Sequence, residues 1–410
     1  MQSTIVILGG GFGGVYTLRA LARRLKHRDA RIILIDRENY FLFSPLVHEV
    51  ATGGVNRESV ATPLRDITRR VRHAELLQAA VLSVDFAGRR VETSAGSVAY
   101  DTLVVALGAE SNFYGVPGAG EHALPLKFLE DAVRIKNRIL DIFEEANRRN
   151  TDAKRQPLTV VIIGGGPTGV ELAAELGELV HRDLKRALPA LDFSRVRLVL
   201  VEGMDDILGG FHPKMRQRAR TALERHHIEI RCSSPVAEIT PAEVRLRDGS
   251  CIPATLTIWT AGVKPVAVRF NPEPPRVRGG RLDVLPTLQL ARFPNVFAVG
   301  DIAFPQSQQL PPPMTAQVAR AEAEIAARNI IALMEGRTPE RFAYTPRGML
   351  VSLGSMMAGA ELKYFKFFGR AAWIIWRTFY ITRVLGLRNR VKVAVDWFFN
   401  LFSSRDISRV

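Results

Sequence analysis

The sequence predicts an α/β fold with two Rossmann-like dinucleotide-binding domains and a C-terminal amphipathic helical region that anchors to a membrane. Three observations carry this. The turn Gly9-Gly10-Gly11-Phe12-Gly13-Gly14 stands between an apolar strand and a helix at the start of the chain. A second such turn, Gly164-Gly165-Gly166-Pro167-Thr168-Gly169, lies near the middle. The last fifty residues combine basic charge with aromatic rings. A G-x-G-x-x-G match is informative only between a strand and a helix, and both copies have that context.

In the first unit, Thr4 to Leu8 reads as a strand and Val15 to Leu25 as a helix. Ile32 to Ile35 is a second strand that ends at Asp36. Gly9 permits the tight turn, Gly11 lets a pyrophosphate approach the backbone, and Gly14 lets helix and strand pack closely. The free N–H groups of the helix start face the anion. Asp36, 22 residues after Gly14, stands where an acid accepts hydrogen bonds from an adenosine ribose.

The second unit repeats this with a strand at Leu158–Ile163, a helix from Val170 and a strand at Val196–Val201 that ends at Glu202. The helix continues through Leu179 and a basic segment, which lengthens the gap to Glu202. A carboxylate suits an unphosphorylated ribose and repels a 2′-phosphate, so NADH is expected rather than NADPH. Two units imply two different nucleotides. Asn295 to Asp301 reads as an apolar strand ending in Gly300-Asp301, whose carboxylate can bond the ribityl hydroxyls of FAD. Thr102 to Gly108 is another strand with a terminal glycine. Both support FAD in the N-terminal unit.

Composition bounds the partners. The chain has 410 residues, 47% hydrophobic and 24% charged, which is ordinary for two or three globular domains, but its formal net charge is +15. That excess favours phosphate-bearing cofactors or an anionic membrane surface. No nucleic-acid motif accompanies it, so nucleic acid is not expected. Cys232 and Cys251, read as lying in a strand and a loop, form no C-x-x-C pair, and the histidines are scattered, so no metal is expected. The N-terminus has no secretory pattern, and no stretch approaches the roughly 18–20 apolar residues of a spanning helix.

From 361 to 410 there are ten Lys/Arg against three Asp/Glu, and twelve of the 32 aromatic residues, including Trp373, Trp376 and Trp397. Gly348 to Tyr364 reads as a hairpin, with helices over about 368–384 and 389–402. Apolar runs interrupted by Arg377, Arg383, Arg388, Arg390 and Lys392 are wrong for crossing a bilayer and right for lying in its interface. A dimerisation or core-packing helix pair is the bland alternative, and a homodimer stays open.

Taken together, these residues resemble the type II NADH dehydrogenases, single-subunit flavoproteins that pass electrons from NADH to a membrane quinone. The resemblance is carried by GGGFGG at 9–14, NYFLFSPL at 39–46, HEVATG at 48–53 and TLVVALGAE at 102–110. It continues in GGGPTGVELAAEL at 164–176, WTAGV at 259–263, VFAVGD at 296–301 and the aromatic C-terminus. It implies a glutathione-reductase-like arrangement and a peripheral, non-proton-pumping enzyme on the cytoplasmic face of the cell membrane. Disulfide reductases and sulfide:quinone oxidoreductases need cysteines beside the flavin, where this chain has none.

The resemblance places FAD against Gly9, Gly11, Phe12, Gly13, Gly14, Asp36, Arg37, Pro45, Leu46, Val81, Ala106, Leu107, Gly108, Gly300, Asp301, Ala316 and Gln317. It places NADH against Gly164, Gly166, Pro167, Thr168, Gly169, Val170, Glu171, Glu202, Thr260, Ala261 and Gly262. The quinone falls to Gln317 and Ala321. The family motif A-Q-x-A-x-Q begins correctly at Ala316-Gln317, but Ala321 stands where a second Gln is usual. The acceptor therefore stays open between a quinone, oxygen and a small protein, and a regulatory flavoprotein is a further alternative.

The protein's task is to hold nicotinamide C4 roughly 3–3.5 Å from flavin N5. Glu171, read in the first helical turn, either binds the carboxamide or complements the helix dipole. Pro311-Pro312-Pro313 leads to a helix starting near Thr315, whose N–H groups would stabilise negative charge on the flavin, with Gln317 one turn inside. The expected domains are FAD-binding at 1–115 and 277–330, NADH-binding at 116–276, and membrane-associating at 331–410. Linkers are expected at 115–118 and 271–280.

Overall fold

A computed structural model describes residues 3–25, 30–148, 157–277, 279–306, 312–346 and 348–409. The chain packs as two units. One comprises Met1–Leu42, Ala61–Glu110 and Val263–Thr345; the other comprises Phe43–Val60, Ser111–Gly262 and Pro346–Val410.

The first unit is built on a six-stranded sheet. Its order is Gln289–Leu290, Phe293–Ala298, Thr102–Val105, Ser3–Leu8, Ala30–Asp36 and Ala74–Gln78. All neighbours are parallel except the first pair. A parallel strand covered on both faces is apolar at consecutive positions rather than alternate ones, and Ile5, Val6, Ile7 and Leu8 are all fully buried. The helix Phe12–Arg24 starts three residues before the expected Val15, because Gly13 and Gly14 turn helical at once to pack beneath the sheet. It lies against the long helix Ala316–Met334. The expected domain end at 330 falls inside that long helix, and the strand expected to reach Asp301 stops at Ala298 and gives way to the short turn Gly300–Ile302.

The second unit repeats the design with five parallel strands. Their order is Ala123–Pro125, Leu256–Trp259, Leu158–Ile163, Val196–Val201 and Ile228–Arg231. The helix Pro167–Glu178 runs on through a π-helical stretch, Leu179–Leu184, into Lys185–Ala187, as the long gap to Glu202 required. Cys232 follows the strand Ile228–Arg231 and Cys251 opens the strand Cys251–Pro253, the reverse of the expected strand and loop.

The C-terminal region belongs to this unit. The expected hairpin forms from Gly348–Ser352 and Ala358–Leu362, and Lys366–Gly369 extends it into a three-stranded antiparallel sheet. The helices Arg370–Arg383 and Leu387–Phe399 follow. They pack on the segment Phe43–Val60. Trp397 Nε1 donates to Glu49 Oε2 at 2.6 Å, and Asn56 Nδ2 and Ser59 Oγ donate to Asp396 at 2.7 and 2.8 Å. Trp376 and Trp397 are therefore core residues, 1% and 2% exposed, and not interfacial rings as the sequence suggested. Arg377 also turns inward, its guanidinium 4.0 Å from the Trp373 ring centroid and 4.6 Å from that of Trp397.

The chain's end is held by Arg405. Its Nη2 lies 2.6 Å from Glu175 Oε2 and 2.6 Å from Glu178 Oε2, and its Nε lies 3.5 Å from Asp183 Oδ2. Burial alone would lower its pKa, but Glu175, Glu178 and Asp183 together raise it. Removing one partner of such a buried cluster leaves uncompensated charge. Among the described residues, no helix is long and apolar enough to cross a membrane.

Candidate functional site

The two glycine turns share their stereochemistry residue for residue. Gly9 and Gly164 have φ of +102° and +112°, where side chains are strained. A Cβ on Gly9 would lie 2.3 Å from the Ala106 carbonyl oxygen, and one on Gly164 would lie 2.7 Å from the Ala261 nitrogen. A Cβ on Gly14 would lie 1.8 Å from the Gly9 carbonyl oxygen, and one on Gly169 would lie 1.8 Å from that of Gly164. By contrast, a Cβ on Gly11 or Gly166 would meet nothing within 4 Å. Space opens only at the third glycine. There the helices begin, with Gly11 and Gly166 as N-caps and no side chain capping either end. Unsatisfied helix N–H groups beside open space form an anion cradle.

The acid at the end of each second strand braces its turn. Asp36 accepts the N–H of Gly10 and, at 2.7 Å, that of Glu38. Glu202 accepts the N–H of Gly165 at 2.6 Å and that of Met204 at 2.8 Å. Burial pushes the Asp36 carboxyl above its ordinary value, partly offset by these N–H bonds. A carboxylate has about four lone-pair sites, so each acid keeps capacity for a ribose hydroxyl.

The remaining first-unit residues fall around this turn unevenly. Ala106 and Leu107 lie beneath Gly9, and Ala106 also lies beneath Gly13. Gly108 and Gly300 have φ of +71° and +78°, and Asp301 sits in the turn Gly300–Ile302. Phe12 meets Phe41 edge-on at 4.9 Å between centroids. Val81 opens the strand Val81–Asp85, and exposed Arg37 pairs with Glu38 at 3.4 Å. Pro45 and Leu46 form the short helical turn Ser44–Leu46, which belongs to the second unit.

The helix Ala316–Met334 carries Gln317 and Ala321, the residues expected on the acceptor side. Thr315 caps it, accepting the Val318 N–H at 3.4 Å. Of the three prolines expected before it, Pro311 lies outside the described residues. Gln317 Oε1 accepts the Tyr344 hydroxyl at 2.9 Å, and Ala321 follows one turn along the same face. Glu322 is completely buried; its Oε2 accepts the Gly300 N–H at 2.5 Å, while Oε1 has no partner. Burial pushes its carboxyl up to about 8. Sequence reading missed Glu322 and Tyr344, although an acid between Ala319, Ala323 and Ala326 on one helix face was a legible signal.

The second-unit residues gather more tightly. Thr260 Oγ1 donates to the carbonyls of Ile163 and Gly164 at 2.9 and 3.1 Å. Trp259 Nε1 donates to the Ala261 carbonyl at 2.8 Å, and the Tyr114 ring covers Gly262. Pro167 and Thr168 form the first turn with Gly169 and Val170. Because the helix starts at Pro167 rather than Val170, Glu171 lies past the first turn, which weakens its reading as a dipole partner. Its Oε1 accepts the Ser352 N–H at 3.0 Å, and its Oε2 lies 3.6 Å from His48 Nδ1. Burial pulls His48 down to about 3 and pushes Glu171 up to about 8, so near neutral pH this contact joins two uncharged groups. Glu49 beside them is likewise pushed up to about 8 by burial and by Glu175.

Known proteins share this architecture. Residues 3–323 match the pyridine nucleotide-disulphide oxidoreductase family, and residues 347–406 match the NDH2 C-terminal domain. The type II NADH:quinone oxidoreductase Ndh of Mycobacterium tuberculosis is 32% identical, over 98% of this chain and 88% of its own. The structure of NDH2 from Plasmodium falciparum in complex with NADH superposes with a TM-score of 0.91 at 20% identity, covering both chains fully. The sulfide:quinone oxidoreductase of Aquifex aeolicus gives 0.71 at 20% identity, over 99% of this chain and 92% of its own.

Two outcomes are expected. As apoproteins, Gly11→Ala should keep the unsubstituted melting temperature while failing to take up nucleotide, whereas Gly14→Ala should lose stability by about 1–3 kcal/mol through overpacking. Thermal melts and cofactor absorbance of the two variants separate these effects; equal melting temperatures would overturn the assignment. The second concerns pH. Glu49, Glu171 and Glu322 hold their protons to about pH 8 when folded, against 4.5 when unfolded, so stability falls with rising pH across that range. His48 acts oppositely, between about 3 and 6.5. Above 6.5 the acids act alone. The urea midpoint should therefore drop from pH 6.5 to 8, and less steeply in Glu322→Gln; a midpoint that climbs would contradict it.

Proposed function

The chain belongs to the pyridine nucleotide-disulphide oxidoreductase family and, within it, to the type II NADH:quinone oxidoreductases, and on that premise we propose how its residues hold two nucleotides and reach a membrane. The activity is oxidation of NADH by a quinone without proton pumping. The observation that carries the residue-level reading is the pair of open positions, Gly11 and Gly166, at two uncapped helix N-termini.

FAD takes the first cradle. The N–H groups following Gly11 would hold its pyrophosphate, Asp36 and Asp301 would take ribose and ribityl hydroxyls, and Gly108 and Gly300 would allow close approach. Bound FAD supplies the redox chemistry, accepting a hydride from NADH and passing two electrons on. The chain supplies orientation and electrostatics. The helix from Ala316 offers its positive N-terminal end to negative charge. Glu322, kept neutral by burial, does not oppose that charge.

NADH takes the second cradle. Thr260, Ala261 and Gly262 wall the turn, and Glu202 reads the ribose. Glu171 acts on the NADH side as a neutral hydrogen-bonding group rather than as a counter-charge. The quinone meets Gln317 beside Ala321.

The lipid-facing surface is the exposed stripe Leu387, Val391, Val395, Phe398, Phe399 and Phe402, with Ile374 on the preceding helix. Arg383, Arg388, Arg390 and Lys392 flank it, each worth about 1 kcal/mol beside an anionic leaflet. On this reading the protein lies on the membrane as a peripheral enzyme, at the cytoplasmic face that the resemblance implies.

The reading is tested by turnover. Protein carrying FAD should oxidise NADH with a short-chain quinone and use NADPH poorly. Glu202→Ala should raise the KM for NADH about tenfold or more while leaving that for quinone in place; matched changes would remove Glu202 from the ribose site. Activity with oxygen or a small protein but with no quinone would replace the acceptor. For the membrane, deleting the tail would also uncover the acids around Arg405, so substitution is the cleaner experiment. Phe398→Asp, Phe399→Asp and Phe402→Asp together should abolish sedimentation with anionic vesicles while FAD absorbance persists. Continued sedimentation would exclude this surface.

A further inference from the structure

We propose that Tyr344 is a positioning residue for the quinone: it fixes the Gln317 side-chain amide with its NH2 group presented as the donor, and so offsets the missing second glutamine at position 321. This rests on the reading above that Gln317 touches the quinone.

The argument begins with the amide. A glutamine end group has a carbonyl and an NH2 of nearly equal size, and an unrestrained amide presents either. A quinone carbonyl is an acceptor only. It is attracted by the NH2 and repelled by the amide oxygen. Gln317 is half-buried near the start of the helix Ala316–Met334, and its Oε1 accepts the Tyr344 hydroxyl at 2.9 Å. A phenol hydroxyl can donate or accept; here it donates, so Oε1 is committed to Tyr344 and Nε2 is the donor left for the quinone.

Ala321 gives this bond its weight. It lies one turn beyond Gln317 on the same helix face and carries no polar group. Two glutamines on one face could share the quinone between them, so the orientation of either would matter less. Here a single amide carries the polar contact, and its orientation decides whether it attracts or repels. The benefit grows as the quinone oxygen gains negative charge during reduction, since a preset donor stabilises charge as it develops. Tyr344 touches the amide rather than the quinone, so its effect passes entirely through Gln317.

Tyr344→Phe keeps the ring and removes the hydroxyl. In the FAD-loaded enzyme it should raise the KM for a short-chain quinone about three- to tenfold, the range expected for one hydrogen bond. The KM for NADH and the rate with ferricyanide should not move, nor should the melting temperature. In a Gln317→Ala background, Tyr344→Phe should change nothing further. Ala321→Gln added to Tyr344→Phe should recover quinone affinity. If Gln317→Ala alone leaves quinone kinetics intact, the quinone placement itself falls, and this proposal with it. If Gln317→Ala impairs the quinone but Tyr344→Phe is silent, or adds its own loss on top, only the role of Tyr344 is overturned.

Discussion

The carbonyl oxygens of Gly9 and Gly164 press against the α-carbons of Gly14 and Gly169, leaving no room for a methyl group at either sixth position. This contact brings each first helix down onto its strand and points its N-terminus past the turn. The rest follows from that closeness. The third glycine is left facing open space, and the second offers its N–H to an acid at the end of the neighbouring strand. One backbone solution, made twice in one chain, thus sets two uncapped helix N-termini beside open space and places a carboxylate at each turn.

Away from the turns, the molecule treats buried charge in two different ways. Around Arg405 the charges are kept, and three acids outweigh the desolvation of one guanidinium. At Glu49, Glu171, Glu322 and His48 the charges are given up: burial leaves acids protonated and the imidazole unprotonated near neutrality. The first arrangement fastens the chain's end to the helix after Gly166. The second lets polar groups line the interior without large fixed fields. Neutral Glu322 beneath Gly300 is the clearest case, because an anion there would oppose the dipole of its own helix's N-terminus.

What could be read in advance follows the same division. Elements set by local patterning were legible: the two strand-turn-helix units, the strands 158–163 and 196–201, the helix from Thr315 and both tail helices. The misreadings came from tertiary packing. Trp376, Trp397 and Arg377 look interfacial in a basic, aromatic stretch, and only tertiary partners draw them inward: Glu49 for Trp397, the rings of His48, Tyr380 and Trp397 for Trp376, and the Trp397 carbonyl for Arg377. Pro45 and Leu46 lie between first-unit strands in sequence, yet pack in the second unit. Glu171 seemed to sit in a first turn because helix propensity gives glycine and proline little credit. With Gly166 as its cap, the helix had already begun at Pro167, a residue favoured at the first helical position.

This division bears on how the two halves of such an enzyme can vary. The nucleotide cradles use backbone N–H groups, which every residue but proline supplies, and constrain the sequence mainly by forbidding side chains. On the proposed reading, their selectivity rests on one carboxylate apiece. The proposed acceptor side is built from side chains alone, with Gln317 and Ala321 on one helix face and Tyr344 bonded to Gln317. A site of that kind tolerates exchange, because a hydroxyl from a distant loop can orient an amide that a neighbouring turn no longer supports. Donor chemistry is therefore held fixed by stereochemistry that cannot be altered piecemeal. On the proposed placement of the quinone, acceptor chemistry can change one hydrogen bond at a time, and Ala321 is the position where such a change would act.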